Sequence, residues 1–310
     1  MQTTLLGQTD LNVSRLGFGA APIGFLETPE KQTGRLINLL LDAGVNLFDT
    51  AAMYRGAEAR LGVALEGHRD HVVLISKCGH AEEELPGGDW SPELIRASIE
   101  RSLQRLKTDH LDIALIHSCE QSVLDEGEAL ATLLTLRDEG KLRYAGYSGD
   151  NETAANAAAL EGVDIIETSI NIADQHNIDV VLPACIEHNV GVIAKRPIAN
   201  AAWNPLNKQR GVYQTYAKTY HDRLKQMAIT PMDLGYHGHP EVEWPEIALK
   251  FTLALEGVDT AIVGTTSTVN AQANLDAVAK NPMRDQAVQK LRDAFKEAEQ
   301  KSGEAWVGQT

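Results

Sequence analysis

Short apolar, β-branched runs recur along the chain, and each is followed by a segment whose apolar residues return at three- and four-residue spacing. Eight runs stand out, at residues 15–18, 46–48, 72–76, 112–116, 144–147, 165–169, 191–194 and 260–263. Strand-then-helix repetition predicts parallel strands joined by crossover helices. Eight repeats predict a closed (β/α)8 TIM barrel, because a doubly wound open sheet more often has roughly five or six strands and a glycine fingerprint after the first.

Helix signals support this. Ser91 stands as a cap before Pro92, and Leu94, Ile95, Ile99, Leu103 and Leu106 then form a stripe that should face the barrel. Two apolar stretches around Gly7-Gln8-Thr9-Asp10 predict an N-terminal hairpin over residues 1–13, placed to plug the barrel floor. The connection at residues 198–244, after the seventh strand, is unusually long and holds a helix-like stretch at 213–227. Such connections in compact domains are usually lids or binding loops. No repeat, low-complexity tract or linker divides the chain, so residues 1–310 read as one barrel domain.

Composition narrows the partners. With 43 acidic and 28 basic residues the net charge is −15, which repels nucleic acid and anionic lipid. The first ten residues lack a basic segment followed by an apolar one, and no stretch is long enough to span a bilayer. Cys78, Cys119 and Cys185 form no CxxC pair and read as free thiols, so a cytoplasmic location is expected. Oligomeric state leaves no signal.

Barrel enzymes work at the carboxyl ends of their strands. There the second run ends in Asp49-Thr50-Ala51, with Tyr54 just beyond; the third ends in Lys77, the fourth in His117 and the fifth in Tyr147-Ser148-Gly149. Singly, these have ordinary readings as a helix cap, a solvated lysine and a satisfied histidine. Together, on three successive strands, they make a set able to protonate a carbonyl oxygen. A tyrosine with a pKa of about 10 does that poorly at neutral pH, so Lys77 is expected to lower the phenol's pKa while Asp49 keeps the lysine charged. His117 is expected to orient the carbonyl through a hydrogen bond.

Gly44-Val45-Asn46-Leu47-Phe48-Asp49-Thr50-Ala51 with Tyr54, Ile75-Ser76-Lys77 and Leu115-Ile116-His117 resemble the signatures of the aldo-keto reductase family, and the resemblance runs over nearly the whole chain. It implies an oxidoreductase moving a hydride between NAD(P)H and an aldehyde or ketone, or the reverse on an alcohol or sugar. It makes Tyr54 the general acid, Lys77 and Asp49 its tuning pair, and His117 the orienting group. Because the cofactor carries the hydride, no covalent nucleophile is needed.

The cofactor side departs from the family pattern twice. Gly146-Tyr147-Ser148-Gly149 resembles the segment that holds the nicotinamide carboxamide, with Gly149 in place of the usual asparagine, and Glu167 stands in the usual glutamine position. A carboxylate accepts from the carboxamide nitrogen but cannot donate to its oxygen. Ile262-Val263-Gly264-Thr265-Thr266-Ser267, with Asn270 and Asn274, resembles the phosphate and adenine segment, where helix N-terminal donors suit an anion. No basic residue lies between Gly264 and Asn274, so Lys195 and Arg196, ahead of Pro197, are the basic candidates for the pyrophosphate or the 2′-phosphate. NADP(H) is expected to be preferred over NAD(H) by about tenfold, with NADH still used.

Trp90 and Trp203 are candidate walls of the substrate pocket. His237-Gly238-His239 with Cys78 and Cys119 lacks the spacing of a strong metal site, and no metal is expected. Two other functions fit less well. A slow-turnover nicotinamide-binding sensor or regulatory protein needs no Tyr54, and a phosphate-handling barrel isomerase or lyase leaves the tyrosine idle.

Overall fold

The computed structural model describes residues 1–82, 84–237 and 240–309 of the chain. Ten strands are found among them: β1 (Thr3–Leu5), β2 (Asn12–Ser14), β3 (Leu16–Gly19), β4 (Leu47–Asp49), β5 (Val73–Cys78), β6 (Leu111–His117), β7 (Leu142–Ser148), β8 (Ile165–Ser169), β9 (Gly191–Lys195) and β10 (Thr260–Val263). β1 and β2 form an antiparallel hairpin. The other eight close into a parallel barrel in the order β10-β3-β4-β5-β6-β7-β8-β9, as the eight apolar runs predict.

Period-two alternation decides what the barrel encloses. Leu47, Val73, Ile75, Ile113, Leu115, Ile165, Ile193 and Ile262 pack together inside it, while Phe48, Leu74, Ala114, Ile116, Ile166, Val192, Ala194 and Val263 pack outward in the larger core. Leu6, Leu11 and Val13 of the hairpin region join the inner cluster, so the hairpin does plug the floor. Its turn needs Gly7, whose φ is +54° and where a Cβ would sit 2.3 Å from the backbone nitrogen of Gly191.

The helix at Pro92–Leu106 begins with Ser91 accepting from the Leu94 N–H at 3.3 Å, and its predicted apolar stripe is buried. The long connection holds the predicted helical stretch at 213–227 as two segments. It contains helices at Tyr213–Tyr216 and Lys218–Met227, which meet at Ala217 with hydrogen bonds continuing across it. Trp244, taken from the sequence as its end, lies buried inside the next helix, Pro240–Leu253. Proline suits the first turn of a helix, so Pro240 opens this one rather than marking a loop. Tyr220, Leu224, Met227, Trp244 and Phe251 form a second core with Phe295 and Trp306.

Candidate active site

The alternation that fills the barrel also builds its mouth. Asp49, Lys77, His117, Glu167 and Lys195 each stand two residues beyond an inward apolar residue, respectively Leu47, Ile75, Leu115, Ile165 and Ile193. All five therefore point to the barrel axis at its carboxyl end. The strands reach one or two residues further than the apolar runs suggested, so Asp49, Lys77 and His117 lie on rigid strand ends rather than on loops.

Lys77 is buried, and its ammonium donates to Asp49 Oδ1 and to the Thr50 carbonyl at 3.1 Å, with Glu167 Oε2 at 3.2 Å. Burial alone would lower a lysine's pKa; Asp49 and Glu167 outweigh it and hold Lys77 well above its ordinary value. Glu167 Oε2 accepts no hydrogen bond from any described residue, its contact being the ionic one.

Tyr54 lies above this ammonium, with Nζ 5.5 Å from the ring centroid, and stands edge-on to His117 at 5.9 Å. The expected lowering of the phenol's pKa is not found. Burial pushes Tyr54 up to about 12; Lys77 pulls it down, but Asp49 and Glu167 push it up again. One cation shared by two carboxylates is too little to offset desolvation. His117 is held well below its ordinary value, first by burial and then by Lys77, so it is a neutral imidazole at neutral pH.

A model of the aldo/keto reductase family matches residues 15–296. The chain belongs to that family. Nicotinamide-dependent oxidoreduction of small-molecule carbonyl compounds comes with membership. Of its curated relatives, L-galactose dehydrogenase of Arabidopsis thaliana is 30% identical over 298 residues, covering 89% of this chain and 87% of that protein. NADH-specific methylglyoxal reductase of Escherichia coli (strain K12) is 32% identical over 220 residues, covering 64% and 68%. Among solved structures, the holo form of aldo-keto reductase AKR11C1 from Bacillus halodurans superposes with a TM-score of 0.80 at 29% identity, over 95% of this chain and 96% of its own.

In this aldo-keto reductase Ser148 and Glu167 are register partners on β7 and β8, and the serine hydroxyl donates to Glu167 Oε1 at 3.4 Å. At Gly149 a Cβ would sit 2.3 Å from the Tyr147 hydroxyl, which itself donates to the Cys119 carbonyl at 2.8 Å. The buried Tyr147 ring thus occupies the room an asparagine would need, which accounts for the glycine. Lys195 is paired with Asp150 at 3.2 Å. Arg196 donates to the Gln309 carbonyl and, at 3.3 Å, to Ser169 Oγ, so the C-terminal tail reaches Arg196. Its charge is felt at Tyr54 and His117, which puts it on the catalytic side of the mouth. Pro197 is buried behind it, its carbonyl accepting from Thr252.

Gly264 follows β10, and Thr265, Thr266 and Ser267 lead into the helix Thr268–Ala279, where Ser267 Oγ accepts from the Asn270 N–H at 3.3 Å. Asn270 is exposed and Asn274 buried. The two tryptophans part company. Trp90 stands edge-on to His80, 5.2 Å away, and His80 stands 5.2 Å from His117, so Trp90 is linked to His117 through one intervening ring. Trp203 stacks on Trp244 at 6.4 Å, in the second core. His80, Phe25 and Tyr213 were not singled out from the sequence, yet Phe25 packs edge-on against Tyr54 at 5.4 Å and Tyr213 is close enough to feel its charge. His80 was findable, standing three residues beyond Lys77; the other two sit at the ends of short helices, Ala21–Phe25 and Tyr213–Tyr216, whose placement over the barrel no local pattern reveals. Cys78 and Cys119 are buried free thiols in the outer core, and of the histidine pair His239 lies outside the described residues.

Proposed function

We propose that this aldo-keto reductase passes a hydride between NAD(P)H and an aldehyde or ketone, or the reverse on an alcohol or sugar, with Tyr54 as the proton donor. The supporting observation is that Tyr54 has the buried Lys77 ammonium 5.5 Å from its ring centroid and the His117 ring edge-on to it at 5.9 Å. A bound nicotinamide supplies the hydride. Neutral His117 donates an N–H to the carbonyl oxygen and fixes its direction. Tyr54, held at about 12, keeps its proton at neutral pH and gives it to the oxygen as negative charge develops there. An alkoxide is more basic than a phenolate, so the raised pKa still leaves the transfer downhill, and Lys77 stabilises the phenolate formed.

Asp49, Ser148, Gly149, Glu167, Lys195, Arg196, Pro197, Gly264, Thr265, Thr266, Asn270 and Asn274 are the proposed cofactor contacts. The fit is chemical: Glu167 Oε2 is a buried acceptor without a hydrogen bond, suited to a carboxamide N–H, and Ser148 supplies a hydroxyl beside it. Lys195 is ion-paired with Asp150, whereas Arg196 donates to the neutral Gln309 carbonyl and keeps its charge. Trp90 joins Tyr54 and His117 as a substrate contact; the stacking of Trp203 on Trp244 gives it no such support.

The test is titration with NADPH and NADH followed by turnover assays on a panel of carbonyl compounds and polyols. Binding with turnover is expected. Binding without turnover on any of the panel would favour a nicotinamide sensor, and no binding of either cofactor would overturn the reading.

A further inference from the structure

We infer that Glu167 is a second counter-charge to Lys77, and that it makes this site favour the oxidised over the reduced nicotinamide. The inference rests on the cofactor reading above. One ammonium lies between two buried carboxylates, Asp49 on β4 and Glu167 on β8, so the cluster of three carries more acid than base. Of the nearby cations, Lys195 is matched by Asp150, and it and Arg196 are felt at His117; the largest charges felt at Asp49 are those of Glu167 and Lys77. The strain is visible at Asp49, whose carboxyl is pushed well above its ordinary range by burial and next by Glu167.

A buried surplus of negative charge is relieved by a cation. Oxidised nicotinamide carries a positive ring and the reduced form a neutral one. With Ser148 and Glu167 holding the carboxamide, the ring comes to lie close to the uncompensated carboxylate. An amide at position 167 would keep the shape and remove the charge, so Glu167 acts as a positioning and tuning residue beyond holding the carboxamide.

The experiment measures dissociation constants for NADP+, NADPH, NAD+ and NADH, the reduced forms by their fluorescence and the oxidised forms by competition, on the full chain and on Glu167→Gln. The ratio of oxidised to reduced dissociation constants is expected to rise by about tenfold or more in Glu167→Gln, equivalent to one pKa unit of lost charge stabilisation. A purely structural role would weaken both forms alike, so an unchanged ratio with both forms still bound overturns the inference and leaves the cofactor reading standing. Failure of the parent chain to bind any of the four overturns both. Should Glu167→Gln not give the parent's circular dichroism, Glu167→Met, uncharged and of similar volume, takes its place with the same two outcomes.

Discussion

An ammonium buried as deeply as that of Lys77 loses its proton unless counter-charge is at hand, because desolvation lowers a lysine's pKa. Asp49 and Glu167 reverse that and hold it charged. Removing the lysine leaves two buried carboxylates without a counter-charge, so Lys77→Met should destabilise the fold by roughly 3 kcal/mol or more, measured by urea unfolding. Its loss of turnover should be far from additive with that of Tyr54→Phe, since both act on one proton; additive losses would give the lysine a separate task. Asp174 offers a pH test. Burial and then Asp150 push its carboxyl up to about 6. A raised folded pKa means the stability this group contributes is fully present below its unfolded value near 4 and is lost as pH rises through about 6. The change amounts to about 3 kcal/mol for a shift of roughly two units. Comparing thermal or urea unfolding of Asp174→Asn with the parent, the difference should move in the variant's favour between about pH 4 and pH 7. A flat difference would show that Asp174 titrates normally.

At the level of elements, the parts legible in the sequence are those where one periodicity controls the outcome. Inward and outward faces of the strands follow period two, and that rule alone brought Asp49, Lys77 and His117 to one end of the barrel. The helix at Pro92–Leu106 was likewise fixed by Ser91, Pro92 and a regular stripe. In the long connection the helical stretch 213–227 was legible but its packing was not, because these helices bury residues against Phe295 and Trp306 from far along the chain, contacts that no local pattern encodes. Charge balance was equally hidden: Tyr54 was expected to be lowered, and it is raised because burial dominates while Asp49 and Glu167 offset much of the pull of Lys77. Two element-scale predictions follow from packing. Leu6→Ala opens a cavity under the barrel and should cost about 2–5 kcal/mol in unfolding while leaving the catalytic rate unchanged; a loss of activity in folded protein would mean the floor is coupled to the mouth. Residues 198–237, if they close over the cofactor, should gain hydrogen-exchange protection when NADPH binds, and unchanged protection throughout would make them a static appendage.

For the whole molecule, a net charge of −15 works against any polyanion, and a nicotinamide dinucleotide must be held by local donors. The loop after β10 supplies hydroxyls and helix N–H groups without charge; Lys195 is ion-paired with Asp150, and Arg196 is already hydrogen-bonded to the Gln309 carbonyl. NADPH and NADH should therefore bind within about tenfold of each other, less than one strong charge-assisted contact would produce. A preference for NADPH above roughly a thousandfold, more than about 4 kcal/mol, would reveal a basic contact from elsewhere in the fold. The account as a whole depends on Tyr54 handing over the proton. Its most direct test is carbonyl-dependent NADPH oxidation by Tyr54→Phe beside the variant's NADPH dissociation constant. A fall in kcat of at least about a hundredfold with near-parent cofactor binding is the predicted result, since only the transferable proton is removed; a kcat close to the parent's would contradict it.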